Sequence, residues 1–260
     1  MRLLPPRYAA FLALTAVAAT APAQPTAPPS GAPATPRAAA PIDLTGQWVA
    51  IVNEDWRWRM VTPPKGDVAS VPLNAEGRRI AEAWDPASDG DCSAYGAAAL
   101  LRMPTRLRIR WDGEQRLVIE TDAGRQTRIL DFTTPPVDGT APRSLQGQSV
   151  ARWVTPARGA AGPGLAGAVA GPQRGGGYLD VRTTNLSGGW LRRNGVPYSE
   201  DAQVTEYFTT FAAPNDSAWL VVTTIVDDPR YLTQRYIVSN HFRREPVGGR
   251  WSPRACGVAQ

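Results

Sequence analysis

The chain holds one histidine, His241, in the alternating run Tyr236-Ile237-Val238-Ser239-Asn240-His241-Phe242. An imidazole titrates near neutral pH, so His241 is a candidate general base. Glu206 is the second candidate, in Val204-Thr205-Glu206-Tyr207-Phe208, where period two places it on a face with Val204, Phe208 and Thr210. A carboxylate on an apolar strand face must be paired or neutral to be buried, and such groups collect at functional sites. The competing readings are structural. Glu206 can pair with one of many arginines, and His241, on a face with Ile237 and Ser239, can be a hydrogen-bonded surface residue.

Binding chemistry is suggested by Asn53-Glu54-Asp55-Trp56-Arg57-Trp58-Arg59-Met60. Read as a strand continuing from Trp48, it places Glu54, Trp56, Trp58 and Met60 on one side and Arg57 and Arg59, solvated, on the other. Glu54, Trp56, Trp58 and Phe208 would then line a site for a flat apolar ligand, joined by Lys65, the only lysine of the chain. The tryptophans serve equally well as core, since aromatics dominate burial energy. A bend at Asn53 to Asp55 would flip the register and give the pocket to the arginine face and an anionic ligand.

Other chemistries lack their residues. One histidine and two distant cysteines cannot build a multi-histidine or zinc site, and no G-x-S-x-G is present. Gly162, Gly164 and Gly167 have dinucleotide-type spacing, but Pro163 lies among them and no strand and helix flank them. Neither a cofactor nor a metal is expected. A formal charge of +5, spread without basic runs, does not suggest a nucleic-acid partner.

These candidates must be positioned by a domain following an export signal. Arg2 and Arg7 precede the apolar run Ala9 to Ala21, and Ala21-Pro22-Ala23 fits a cleavage site, so residues 1–23 read as a signal peptide. The apolar run falls short of the about 20 residues that span a membrane, so no integral membrane segment is expected. The destination is the periplasm or the exterior. Residues 24–42, rich in Pro and Ala, read as a disordered tether, and residues 43–260 as one domain. In an oxidising compartment Cys92 and Cys256 are expected to pair.

Within the domain, residues 106–132 read as three strands joined at Asp112-Gly113 and Asp122-Ala123-Gly124, with Leu107, Ile109 and Trp111 facing opposite to Arg106, Arg108 and Arg110. Further strands are expected at 46–54, 56–61, 148–154, 178–184, 189–193, 202–211, 217–226 and 234–242. Asn74 caps a helix over Ala75 to Trp84, and a second helix is expected from Ser93 to Arg102. Residues 156–177, rich in Gly and Ala, read as a flexible loop. The pattern is mainly β: an antiparallel up-and-down barrel of about eight strands, with one or two short helices after the first.

Asp43-Leu44-Thr45-Gly46-Gln47-Trp48 resembles the opening of lipocalin-type domains, and the stretches EDWRWRMVTPPKGD, VTEYF and VDDPRYLT resemble a group of exported bacterial proteins that are lipocalin-like. The resemblance implies a barrel around a small ligand, one end closed by the tryptophan, and brings no catalytic residues. The expected function is binding of an apolar or aromatic small molecule in the barrel interior. The alternatives are a barrel enzyme using Glu206 or His241 for proton transfer as an isomerase, lyase or hydrolase, and a structural envelope or interaction module.

Overall fold

The computed structural model describes residues 34–87, 92–133, 141–155, 176–214, 217–246 and 248–257. The signal peptide, the first part of the tether and residues 156–175 of the Gly/Ala-rich loop lie outside them.

Strand β1 (Gly46–Ile51) is followed by a helical turn α1 (Trp56–Arg59), helix α2 (Ala75–Ala83) and two 3-10 turns (Ser93–Tyr95 and Leu100–Arg102). Then come β2 (Arg106–Asp112), β3 (Arg116–Thr121), β4 (Ala123–Gly124), β5 (Thr127–Asp131), β6 (Gln148–Val154) and β7 (Tyr178–Thr184). The chain continues through β8 (Gly189–Arg192), β9 (Val196–Tyr198), β10 (Gln203–Ala213), β11 (Ser217–Asp227), β12 (Tyr236–Glu245) and β13 (Arg254–Ala255).

Nine strands close the barrel in the order β1-β12-β11-β10-β7-β6-β5-β3-β2. An odd number cannot alternate in direction around a ring, so one neighbouring pair must run parallel. That pair is β5 and β6, which meet only at Leu130 with Ser149 and Asp131 with Val150. The expected barrel is present, with nine strands in place of about eight and one parallel seam in an otherwise antiparallel wall.

Alternation along the strands sends Trp48, Leu107, Ile109, Leu117, Leu130, Phe208, Leu220 and Phe242 into one core at the Trp48 end. Trp48 is fully buried, donates its indole N–H to the Leu44 carbonyl at 2.9 Å and lies under the Arg244 guanidinium. The opposite end is covered by a second apolar cluster. There Val71, Leu73 and Ala81 pack with Leu191, Val196 and Tyr198 on Val204, Val226 and Tyr236 of the barrel rim. Gly195 turns between β8 and β9 with a φ of +76°, and any side chain there would strike Trp84 at 2.1 Å, so only glycine allows this closure. Asn74 caps α2 as expected, accepting from the Gly77 N–H at 2.9 Å.

Three expectations are corrected. Residues 56–61 form no strand: Asp55 takes a left-handed φ of 51° and its carbonyl accepts from Trp58 and Arg59, winding Trp56–Arg59 into a turn. Ser93 to Arg102 is not one helix, because the backbone is extended at Gly96, where a Cβ would lie 2.0 Å from the Tyr198 hydroxyl. Residues 34–42, expected to be unattached, are hydrogen-bonded to the barrel. Thr35 donates to Glu114 at 2.7 Å, and Trp153 donates to the Pro36 carbonyl at 2.8 Å.

Cys92 and Cys256 are bonded, tying the start of the first 3-10 turn to the C-terminal segment across 164 residues. Closing so long a loop contributes about 5 kcal/mol in the chain-entropy model. Replacing both cysteines by serine is therefore expected to lower the unfolding free energy by about 3 to 5 kcal/mol in urea denaturation. A loss below about 1 kcal/mol would show that the two segments are held without the bond.

Candidate functional site

Between the two apolar clusters lies a polar layer inside the barrel. Arg128 on β5 is fully buried and grips both oxygens of Glu206 on β10, at 3.0 and 2.7 Å. The same guanidinium reaches the hydroxyls of Ser149 on β6 at 3.4 Å and Thr183 on β7 at 3.3 Å, which bond each other at 2.8 Å. Thr224 and Asn240 face the same layer, and neither the Thr224 hydroxyl nor either polar atom of Asn240 has a partner among the described residues. Burial raises the pKa of the nearby Tyr198 hydroxyl, against the pull of the Arg128 charge.

Toward the capped end three arginines converge from the covering segments. Arg59 from α1, Arg102 from the second 3-10 turn and Arg192 from β8 are only 3%, 6% and 3% exposed. Arg59 donates Nε to the Arg102 carbonyl at 2.8 Å, and Arg102 pairs with Asp55 at 3.2 Å. Arg192 stacks over the Trp58 ring at 4.9 Å, and Arg102 over Tyr236 at 5.8 Å. Two terminal nitrogens of Arg59 and one of Arg102 are buried with no partner among the described residues, and the Arg192 fork lies beside the Tyr236 hydroxyl, whose hydrogen bonding favours its charge.

Electrostatics records the crowding. Burial pushes the Arg59 guanidinium from its ordinary value down to about 10, and the Arg102 charge adds to this against Asp55, Glu54 and Tyr236. Burial lowers Arg192 as well, and the Arg102 charge works in the same direction. A surface cleft of about 380 Å³ lined by Glu54, Asp55, Arg59, Arg102, Ile237, Val238 and Ser239 leads to this group.

The residues singled out in the sequence do not assemble into one site. Glu206 is spent on Arg128, and Phe208 is core beside Leu220 and Phe242. His241 sits on the outer face, as its grouping with Ile237 and Ser239 required, 3.2 Å from Asn53 Oδ1 and 3.6 Å from Glu54. Trp56 is 64% exposed, and Lys65 lies on an exposed loop. Trp58 alone among the expected aromatics reaches the buried arginines, with its indole N–H on Asp67 at 3.1 Å. The helical turn separates Trp56 from Trp58 and turns Arg59 inward, which overturns the shared tryptophan face and the solvated Arg59. Sequence reasoning missed Arg102 and Arg192, though Arg102 ends the apolar run Ala97 to Leu101, a signal for a buried cation.

No protein-family model, curated protein or solved structure matches the chain.

Two outcomes follow from this geometry. Removing one partner of a buried ion pair strands the other, so Glu206→Gln is expected to lose about 3 to 5 kcal/mol in urea denaturation, while Arg128→Met with Glu206→Leu recovers most of it. A mild single-variant loss would mean that water reaches the pair. For Arg59 the sign is opposite. The folded state holds its proton less tightly than the unfolded chain, so the charge costs stability at all pH below about 10, and the cost fades only above that. At neutral pH Arg59→Met is therefore expected to lose no more than about 1 kcal/mol, the worth of its bond to the Arg102 carbonyl. Leu220→Ala, a core control, is expected to lose about 2 to 5 kcal/mol.

Proposed function

We propose that this protein is an exported, lipocalin-like barrel that binds a small molecule at its capped end. The supporting observation is the buried terminal nitrogens without partners among the described residues there, on Arg59 and Arg102, beside the buried Arg192. A buried polar group left unmatched costs about 1 to 3 kcal/mol, so a cluster of them is retained for something that fills it. The place differs from that expected of an apolar ligand in mid-barrel. Trp48, Phe208 and Phe242 fill the other end with buried side chains, and the polar layer stands between. Trp58 supplies an aromatic face beside Arg192, and the cleft at Asp55 and Arg102 supplies the route inward.

Binding is favoured over proton-transfer chemistry because Glu206, the carboxylate of the polar layer among the described residues, has both oxygens engaged by Arg128. His241 faces outward, away from that layer, on the same side of β12 as Ile237 and Ser239.

Calorimetric titration with N-phenylnaphthylamine, a flat neutral aromatic, tests the reading. One saturable site is expected, weakened about tenfold or more by Trp58→Leu and by Val238→Trp, which fills the cleft, and unchanged by Phe211→Ser on the outer surface. Thermal midpoints taken on the same variants separate lost binding from lost folding. Undiminished binding in both site variants would move the site elsewhere.

A further inference from the structure

We infer that the ligand of this site carries an oxyanion, a carboxylate or a phosphate, seated between Arg59, Arg102 and Arg192 in competition with the carboxylate of Asp55. The inference deepens the proposed binding function and rests on it.

Charge is the first argument. Three guanidinium groups converge in a buried space, and among the described residues one carboxylate, Asp55, makes an ion pair with any of them. Glu54 is near enough to act on Arg59, but its side chain is half exposed and turned toward His241 at 3.6 Å, and Asp67, near enough to act on Arg192, is engaged by Arg57 and the Trp58 indole. Water could satisfy the free N–H groups, yet it would leave the positive charge uncompensated in a low-dielectric interior. An oxyanion does both, because its oxygens accept several charge-assisted hydrogen bonds at once and its charge offsets the excess.

Donor geometry is the second. Arg59 is held through Nε by the Arg102 carbonyl, which leaves its two terminal nitrogens free. Arg102 spends one terminal nitrogen on Asp55 and keeps the other free. Arg192 lies over the Trp58 ring with the Tyr236 hydroxyl beside its fork. The planar Arg59 fork, with both terminal nitrogens open, matches a carboxylate or phosphate edge better than it matches a single water.

The position of Asp55 is the third. It is a non-glycine residue in the left-handed region, with a φ of 51°, at the tip where β1 gives way to α1 and beside the cleft. A conformation of that kind costs about 1 kcal/mol or more and persists where the surroundings hold it, here through the pair with Arg102. An arriving oxyanion competes for the same nitrogen, so Asp55 acts as an internal stand-in that keeps the unliganded site from carrying all three charges unpaired.

The experiment compares two probes that share one skeleton, N-phenylnaphthylamine and anilinonaphthalene sulfonate, on the folded protein at fixed ionic strength. The sulfonate is expected to bind about tenfold or more tightly than the neutral probe. That increment should vanish in Arg192→Gln and in Arg59→Gln, and Asp55→Asn should strengthen sulfonate binding about tenfold while leaving the neutral probe unchanged. Displacement of the sulfonate probe by benzoate or by inorganic phosphate then assigns the head group, and either supports the inference. Benzamide displacing as well as benzoate would overturn it, as would equal affinity for the two probes, or a sulfonate increment that survives both arginine variants. Those three results leave the binding function standing; failure of both probes to bind removes that function as well. Should Arg192→Gln fail to fold, Arg59→Gln carries the comparison alone, since replacing Arg59 is expected to change stability little.

Discussion

The Arg128 guanidinium holds the barrel where its wall is weakest. A ring of nine strands forces one parallel contact, and that contact between β5 and β6 consists of two residue pairs. Arg128 stands on β5 beside it and bonds to Ser149 on β6, Thr183 on β7 and Glu206 on β10, so one side chain spans four neighbouring strands across the seam. Two backbone pairings are thereby backed from inside by a bidentate charge-assisted contact. A buried ion pair is an uncertain source of net stability. Its position explains its use here: it selects the register of the one joint that an antiparallel ladder does not dictate.

That polar layer also divides the interior. On the Trp48 side apolar side chains form one buried cluster, and this half stabilises the fold by area removed from water. On the capped side the cover consists of segments from the β1–β2 connection and from β8 and β9, which carry apolar contacts and three buried arginines together. Arg59 and Arg192 are placed where burial and the Arg102 charge work against their own. The stability needed to tolerate this comes from the filled half and the disulfide, a division common where a site is strained in the absence of its ligand.

The cap depends on backbone carbonyls more than on side-chain pairs. Asn194 donates to the carbonyls of Pro64 and Asp67, Arg193 to that of Arg59, and Arg59 to that of Arg102. Each of these bonds ties one covering segment to another. The arginine group is thus positioned by loops braced against each other, and Trp84 over Gly195 completes the brace.

The sequence by itself determined the strands of the barrel, the two hairpins of residues 106–132, the helix capped by Asn74 and the pairing of the cysteines, because each is written in local periodicity, turn residues or simple arithmetic. It also grouped His241 with Ile237 and Ser239, and those residues do share the outer face. It could not determine that Trp56 to Arg59 coils, since tryptophan and arginine alternating at period two satisfy a strand until a left-handed Asp55 breaks it. Nor could it tell Arg59, Arg102, Arg128 and Arg192 from the other arginines of a chain that uses almost nothing else for its positive charge. Whether an arginine is solvated or buried is decided by what folds over it, and here those covers arrive from far along the chain. Only the tertiary structure brings Glu206 to Arg128, and the three capped-end guanidinium groups to one another, because charge burial is a property of the assembled interior and leaves no period in the sequence.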